Sequence, residues 1–228
     1  MKNIQYFTQQ DPLRYACMED FYKRGAIIEH IDDDTLILYN KDIDIVYHAG
    51  KAIDHPIFHT CNLIMTDSKE LSDLLTSQKV CTSSFPVYTC LYNDIAPNFV
   101  VKPGVTTSFL TEEHLPFVLE HYDNPGNTYD HIKGRIEEGM IGLFKEDELI
   151  GFIGVHEEGT MGFLFILEEY RHKGYAYMLE SNLIRHLRNT NHIPYCHVFV
   201  ENKASLKLQE KLNLIQVEKP YYWLGKDA

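Results

Sequence analysis

Positive charge is scarce in this sequence. Its 228 residues carry 21 Lys and Arg against 33 Asp and Glu, a formal net charge of -12. No basic stretch of any length relieves that excess. Nucleic acid is therefore not an expected partner, and an anionic membrane surface would repel the chain as well. Long apolar runs are also missing. No segment reaches the roughly 20 apolar residues that a membrane-spanning helix needs, and Met1 to Arg14 is polar, without the apolar core and small-residue cleavage site of an export signal. Cys17, Cys61, Cys81, Cys90 and Cys196 are odd in number and form no CxxC pair. That pattern argues against a disulfide framework and for a reducing, cytoplasmic setting with the thiols as small buried hydrophobes.

What is present is an ordinary globular balance, 44% hydrophobic and 24% charged, in a chain long enough for one large domain or two small ones. Turn chemistry at Lys102-Pro103-Gly104 divides it. Before the break, a helical pattern with Leu13, Cys17, Phe21 and Tyr22 runs from Asp11-Pro12 to Gly25. Strand patterns follow at Ala26 to His30, Thr35 to Tyr39 and Ile43 to Tyr47, the last two joined by Asn40-Lys41-Asp42. Cys61 to Met65 is apolar and leads into Thr66-Asp67-Ser68, an N-cap cluster for a helix with Leu71, Leu74 and Leu75. Phe85 to Tyr92 is rich in β-formers.

The second half repeats this order. A helix opens at Thr111, a loop carries Asn124-Pro125-Gly126, and a second helix spans Tyr129 to Glu138. Met140 to Lys145 and Glu148 to His156 are expected as antiparallel strands turning at Glu146-Asp147, with Met161 to Leu167 as the next strand. Ala176, Leu179, Leu183, Ile184 and Leu187 stand at helical spacing. A strand from Tyr195 to Val200, a short helix from Ala204 to Leu212 and an aromatic strand near Tyr221 to Leu224 complete the chain. Phe85-Pro86-Val87-Tyr88 parallels Ile193-Pro194-Tyr195-Cys196, which suggests two copies of one α/β unit.

One segment carries recognisable chemistry. The apolar run Phe163 to Leu167 ends in Glu168-Glu169-Tyr170, then Arg171-His172-Lys173-Gly174-Tyr175-Ala176 opens the long helix. A helix start presents free N–H groups and partial positive charge to an anion. Gly174 lets a phosphate approach the backbone, Ala176 keeps the first turn small, and Arg171 and Lys173 bring cations to an acidic chain. The set suits a diphosphate.

This segment resembles the coenzyme A signature of the GNAT superfamily of N-acyltransferases. Val198 to Leu214, with Asn202 opening a short helix at Lys203-Ala204-Ser205, is similar to that superfamily's later motif, and the likeness covers about Thr106 to Leu224. The resemblance implies an α/β fold with a mixed, mostly antiparallel sheet flanked by helices. It also implies direct transfer of an acyl group, acetyl above all, from acetyl-CoA as co-substrate to the amine of a small molecule, amino acid or peptide. The cofactor-binding set it implies is Phe165, Ile166, Leu167, Arg171, His172, Lys173, Gly174, Tyr175, Ala176, Asn202 and Ser205, with Phe165 and Leu167 contributing main chain alone. Pro194-Tyr195-Cys196-His197 and Pro220-Tyr221-Tyr222-Trp223 resemble the glycine N-acyltransferase-like branch, whose members carry a degenerate preceding copy of the fold. Residues 1–103 would then be a half without a cofactor site, since Met65 to Leu71 lacks glycine and carries two carboxylates, and 104–228 the acyltransferase domain.

The catalytic groups are less determined. Glu157 or Glu158, in the turn between two strands, could receive the amine's proton, and His156 has suitable acidity. The branch has a Glu where this chain has Thr160. Many superfamily members have a Tyr where Gln209 stands, so an acid for the leaving thiolate is open, with Tyr221 or Tyr222 as substitutes or as packing residues. The stretch His121 to His131, with Tyr122, Asp123 and Tyr129, falls where the superfamily receives its acceptor, while His114 and His121 themselves are expected to be solvated. His55-x-x-x-His59-x-Cys61 has metal-compatible residues, but Pro56 breaks the helix that would align them. Cys196 and His197 point to opposite faces of a strand. A non-catalytic acyl-CoA-binding regulatory module is the alternative reading, and either a monomer or a homodimer is compatible.

Overall fold

The computed structural model describes residues 3–92, 97, 101–122 and 128–226. The loop expected at Asn124-Pro125-Gly126, and Asp123 beside it, lie outside the described residues. In chain order the elements are α1 (Ile4–Thr8), α2 (Ala16–Lys23), β1 (Ile27–Ile31), β2 (Thr35–Asn40), β3 (Ile45–Gly50), α3 (Ile57–Thr60), β4 (Leu63–Thr66), α4 (Lys69–Ser77) and β5 (Ser83–Leu91). Then come β6 (Thr106–Phe109), α5 (Leu115–His121), α6 (Tyr129–Glu137), β7 (Ile141–Lys145), β8 (Glu148–Val155), β9 (Met161–Ile166), α7 (Tyr175–Asn189), β10 (Tyr195–Phe199), α8 (Lys203–Lys211), β11 (Ile215–Gln216) and β12 (Tyr221–Gly225).

The chain divides into two units, but not at a single cut between residues 103 and 104. One unit takes Met1–Leu91, His197–Leu206 and Ile215–Ala228, and the other takes Tyr92–Cys196 and Lys207–Leu214. The physical reason lies in β12, whose residues Tyr221–Gly225 pair antiparallel with both β4 and β5. A strand late in sequence thus completes the early sheet. In that unit β1, β2 and β3 form an antiparallel meander, β3 pairs parallel with β4, and β11 pairs antiparallel with β5. Ile37, Val46, Phe58, Ile64, Leu71, Leu75 and Leu224 form its core.

The second unit is built on a four-stranded sheet, β6-β7-β8-β9, antiparallel throughout. Its strand β8 is buried on both faces from Leu149 to Gly154, and its β7–β8 turn uses Glu146 and Asp147 at positive φ, the left-handed geometry short hairpins need. Helices α5 and α6 cover one core of Leu115, Val118, Ile132, Ile136, Met140, Phe152 and Phe163. The α7 helix buries Met178, Leu179, Leu183, Ile184 and Leu187, the 3.6-residue stripe visible in its sequence, and packs on β7, β8 and β9. Both units combine helices with mixed or antiparallel sheet, as expected.

Candidate active site

The β9-to-α7 turn is held from within. A single 3-10 turn at Glu168–Tyr170 follows the strand, and His172 and Gly174 both take positive φ (61° and 81°) before the helix begins. Arg171 Nε donates to the Ile166 carbonyl at 2.9 Å, and its guanidinium lies 6.0 Å from the Phe165 ring centre. Lys173 Nζ donates to the Glu169 carbonyl at 2.7 Å and lies 5.1 Å from the centre of the Tyr170 ring. Both expected cations therefore fold back and brace the turn. Gly174 is the N-cap of α7, and no side chain caps that helix. The N–H groups of its first turn, at Tyr175 and Ala176, keep the anion-binding character of an uncapped start. A Cβ added at residue 174 would meet only Lys102, at 3.0 Å from Cε and 3.1 Å from Nζ. Nothing in sequence spacing pointed to Lys102.

Strand β9 is the edge of its sheet, so the backbone on its far side has no ladder partner. Its register against β8 jumps between the pairs Phe152–Phe165 and Gly154–Gly162, which sets two residues of β9 against one of β8. Phe163, at φ 52°, sits in this bulge. Bulges re-aim the backbone, and this one bends β9 directly upstream of the turn. Which main-chain groups face outward differs from expectation. Leu167 donates its N–H to the Ile150 carbonyl at 3.0 Å and accepts from Tyr170 N–H at 2.9 Å, so its main chain is committed to the fold. Antiparallel alternation then turns Phe165 toward β8 as well, and directs Leu164 and Ile166 to the open edge. The Phe165 side chain packs instead among Phe117, His121 and Phe152.

Polar side chains gather around the bulge. The Tyr122 phenol accepts from the Phe163 N–H; burial, opposed by that bond and assisted by the Glu158 charge, raises its pKa above the ordinary tyrosine value. The His156 ring lies 4.3 Å from the Phe163 ring and against Gly162, where a Cβ would come within 2.2 Å of Nε2. Glycine at 162 is thus a requirement of the histidine's position. Burial pulls the His156 pKa below the usual histidine range, with the nearby charges of Glu158, His131, Arg135 and Glu157 as smaller influences. His131 Nδ1 stands 3.3 Å from Glu157 Oε1, with both side chains partly exposed. Glu158 accepts from the buried Thr160 hydroxyl through its carboxylate and from the Tyr195 phenol, at 3.0 Å, through its carbonyl. The His156–Thr160 turn is therefore a braced hairpin with two carboxylates and two histidines on it or against it.

Comparison with known proteins decides what this arrangement belongs to. Residues 107–214 match the family model described as "Acetyltransferase (GNAT) family". A protein of Saccharolobus solfataricus named N-alpha-acetyltransferase is 32% identical over 123 residues, 52% of this chain and 69% of that protein. The chain belongs to the GNAT family. It is an acyl-CoA-dependent N-acetyltransferase. Solved structures agree in fold. A Drosophila protein has a TM-score of 0.72 at 11% identity, over 98% of this chain and 94% of that one. A GCN5-related N-acetyltransferase-like protein from Streptococcus suis has 0.60 at 12% identity, over 96% and 98%.

The structure also places the other residues singled out in the sequence of this GNAT chain. Asn202 Oδ1 accepts from Ser205 N–H at 3.0 Å, so this pair caps α8. Gln209, in place of tyrosine, is buried against Glu180 of α7; burial raises the Glu180 carboxyl to about 7, partly opposed by its hydrogen bond to Gln209. Tyr221 is wholly buried and donates to the Arg14 carbonyl at 2.7 Å, a packing role. His114 and His121 are half-buried rather than fully solvated. His114 accepts from Thr111 N–H and packs edge-on to Phe144, and His121 stacks on Phe117. His55 accepts from Ile57 N–H while His59 pairs with Asp54, and among the described residues no group of three or more His, Cys, Asp or Glu could hold a metal ion. Cys196 is buried, and His197 accepts from Trp223 Nε1. No helix among the described residues is long and apolar enough to cross a membrane.

Proposed function

We propose that this enzyme uses acetyl-CoA as co-substrate and acetylates the amine of a small molecule, amino acid or peptide by direct attack. The observation that carries the reading is the uncapped start of α7 at Gly174, preceded by a bulged edge strand. The residues fit a diphosphate: the N–H groups at Lys173, Gly174, Tyr175 and Ala176 would receive it, with Arg171 and His172 shaping the turn. When bound, acetyl-CoA supplies the acyl thioester. The outward main chain of Leu164 and the outward N–H of Ile166 would hold its extended arm, and their N–H groups would meet negative charge growing on the thioester oxygen. Glu157, backed by His131, and Glu158, backed by Thr160, are the proton acceptors for the incoming ammonium. Neutral His156 beside them offers a second station on the same path. The carboxylate of Glu158 stands in for the carboxylate base that Thr160 cannot supply. An acyl-group acceptor of the α-amine type is favoured by the name of the Saccharolobus relative.

Residues 1–103 read as a related half without a cofactor site. Where α7 leaves its first turn open, α4 closes its own. Ser68 Oγ caps Leu71 N–H at 3.2 Å, and the Asp67 carboxylate accepts from Gly50 N–H and Arg14 Nε, both at 2.8 Å. The glycine N-acyltransferase-like branch, the single soluble cytoplasmic enzyme as monomer or homodimer, and the absence of nucleic acid and membrane partners belong to the same proposal. Five free, buried cysteines support the reducing setting.

The test is thiol release from acetyl-CoA against a panel of amines, amino acids and peptides. Turnover with at least one acceptor is expected, with Glu157→Gln and Glu158→Gln each lowering kcat about 10- to 1,000-fold. Because His156 is held neutral to lower pH than usual, the acid limb of kcat/KM should fall below the ordinary histidine range and shift in His156→Gln. Tight CoA binding without turnover across the panel would favour a regulatory module instead.

A further inference from the structure

We propose that Lys102, from the segment leading into β6, is the cation that engages the diphosphate at the start of α7. This rests on the coenzyme A site proposed above and adds the residue that completes its charge. Three observations converge. First, Arg171 Nε and Lys173 Nζ donate to the carbonyls of Ile166 and Glu169, so the turn's own cations are drawn into bracing its backbone. Second, the open face of Gly174 meets Lys102 and nothing else within 4 Å, with Cε and Nζ at 3.0 and 3.1 Å from the position of a Cβ. Third, the placement is electrostatically adverse without an anion. A helix start carries partial positive charge, and an ammonium laid over it is repelled. The neighbouring Arg171 and Lys173 add to that repulsion, in a chain whose net charge of -12 offers many acidic places for a lysine to rest. An arriving diphosphate reverses the sign: it draws on the helix N–H groups and the ammonium together, and the flexible lysine stem swings off the glycine to make room.

The distinguishing consequence is that binding and stability move in opposite directions. Calorimetric titration of CoA into wild type, Lys102→Ala, Lys102→Glu and Lys102→Arg tests it, with thermal unfolding of each variant alone. Lys102→Ala is expected to weaken CoA about tenfold and Lys102→Glu more, with Lys102→Arg close to wild type. The unliganded alanine variant should unfold at the same or a slightly higher temperature. Dephospho-CoA, which keeps the diphosphate and lacks the 3′-phosphate, should show the same loss. Unchanged CoA affinity in Lys102→Ala and Lys102→Glu overturns the proposal, as does a penalty seen with CoA and absent with dephospho-CoA. Failure of the underlying site looks different: wild type itself would then bind no CoA, or Gly174→Trp would bind it unimpaired.

Discussion

Glu180 is a carboxyl group taken out of water, with one oxygen left without a hydrogen-bond partner beside the equally unpartnered Oε1 of Gln209. Burial is what raises its pKa from 4.5 to about 7, against the opposing hydrogen bond to Gln209. The linkage has a definite sign. The folded state holds this proton between pH 4.5 and 7 while the unfolded chain releases it, so the group's contribution is full below pH 4.5 and is lost as pH rises to about 7. On the order of 3 kcal/mol of stability is involved. Glu180→Gln should flatten that slope in denaturant titrations across this range; an unaltered slope would show that the carboxyl ionises freely. None of this is legible in sequence, where Glu180 sits unremarked in a helical pattern and Gln209 reads as a missing tyrosine. The pair exists because α7 and α8 meet. Lys102 is hidden for the same reason, being far from Gly174 along the chain and beside it in space.

At the scale of elements, periodicity and caps were legible and edges were not. The amphipathic stripe of α7, the Ser68 cap of α4 and the β7–β8 turn at Glu146-Asp147 follow from local residue chemistry. Short pieces leave no pattern: α1, β6 and β11 have too few residues for a period to show. The bulge at Phe163 has no sequence signature either, because an aromatic at positive φ is a choice imposed by packing against His156 and Tyr122. That bulge and the direction of alternation decide which backbone groups of β9 face outward: those of Leu164 and the expected Ile166 do, while Phe165 and Leu167 turn toward β8. The later motif also resolves at this scale. Asn202 caps α8, so Asn202→Ala should cost about 1 kcal/mol of stability, and Asn202→Asp or Asn202→Ser should restore most of it. If alanine weakens acetyl-CoA binding with no change in stability, the cap is not the residue's main role.

For the whole molecule, the contrast between the two helix starts organises the account. Two of the chain's strand-to-helix turns contrast: the one before α4 carries the Ser68 cap and the Asp67–Arg14 ion pair, and the one before α7 is left open at Gly174. The cysteines behave alike across both units: all five are buried and free, and burial pushes the thiols of Cys17 and Cys61 up to about 12. A disulfide-exchange reagent at neutral pH should therefore label the native enzyme slowly and all five thiols promptly on unfolding. The central claim is that one acyl-CoA site exists per chain, at the Arg171–Ala176 turn. Calorimetric titration of acetyl-CoA into wild type and Gly174→Trp, with circular dichroism to confirm folding, tests it most directly. The account predicts one site per wild-type chain and none in the folded variant; equal binding by both would contradict it.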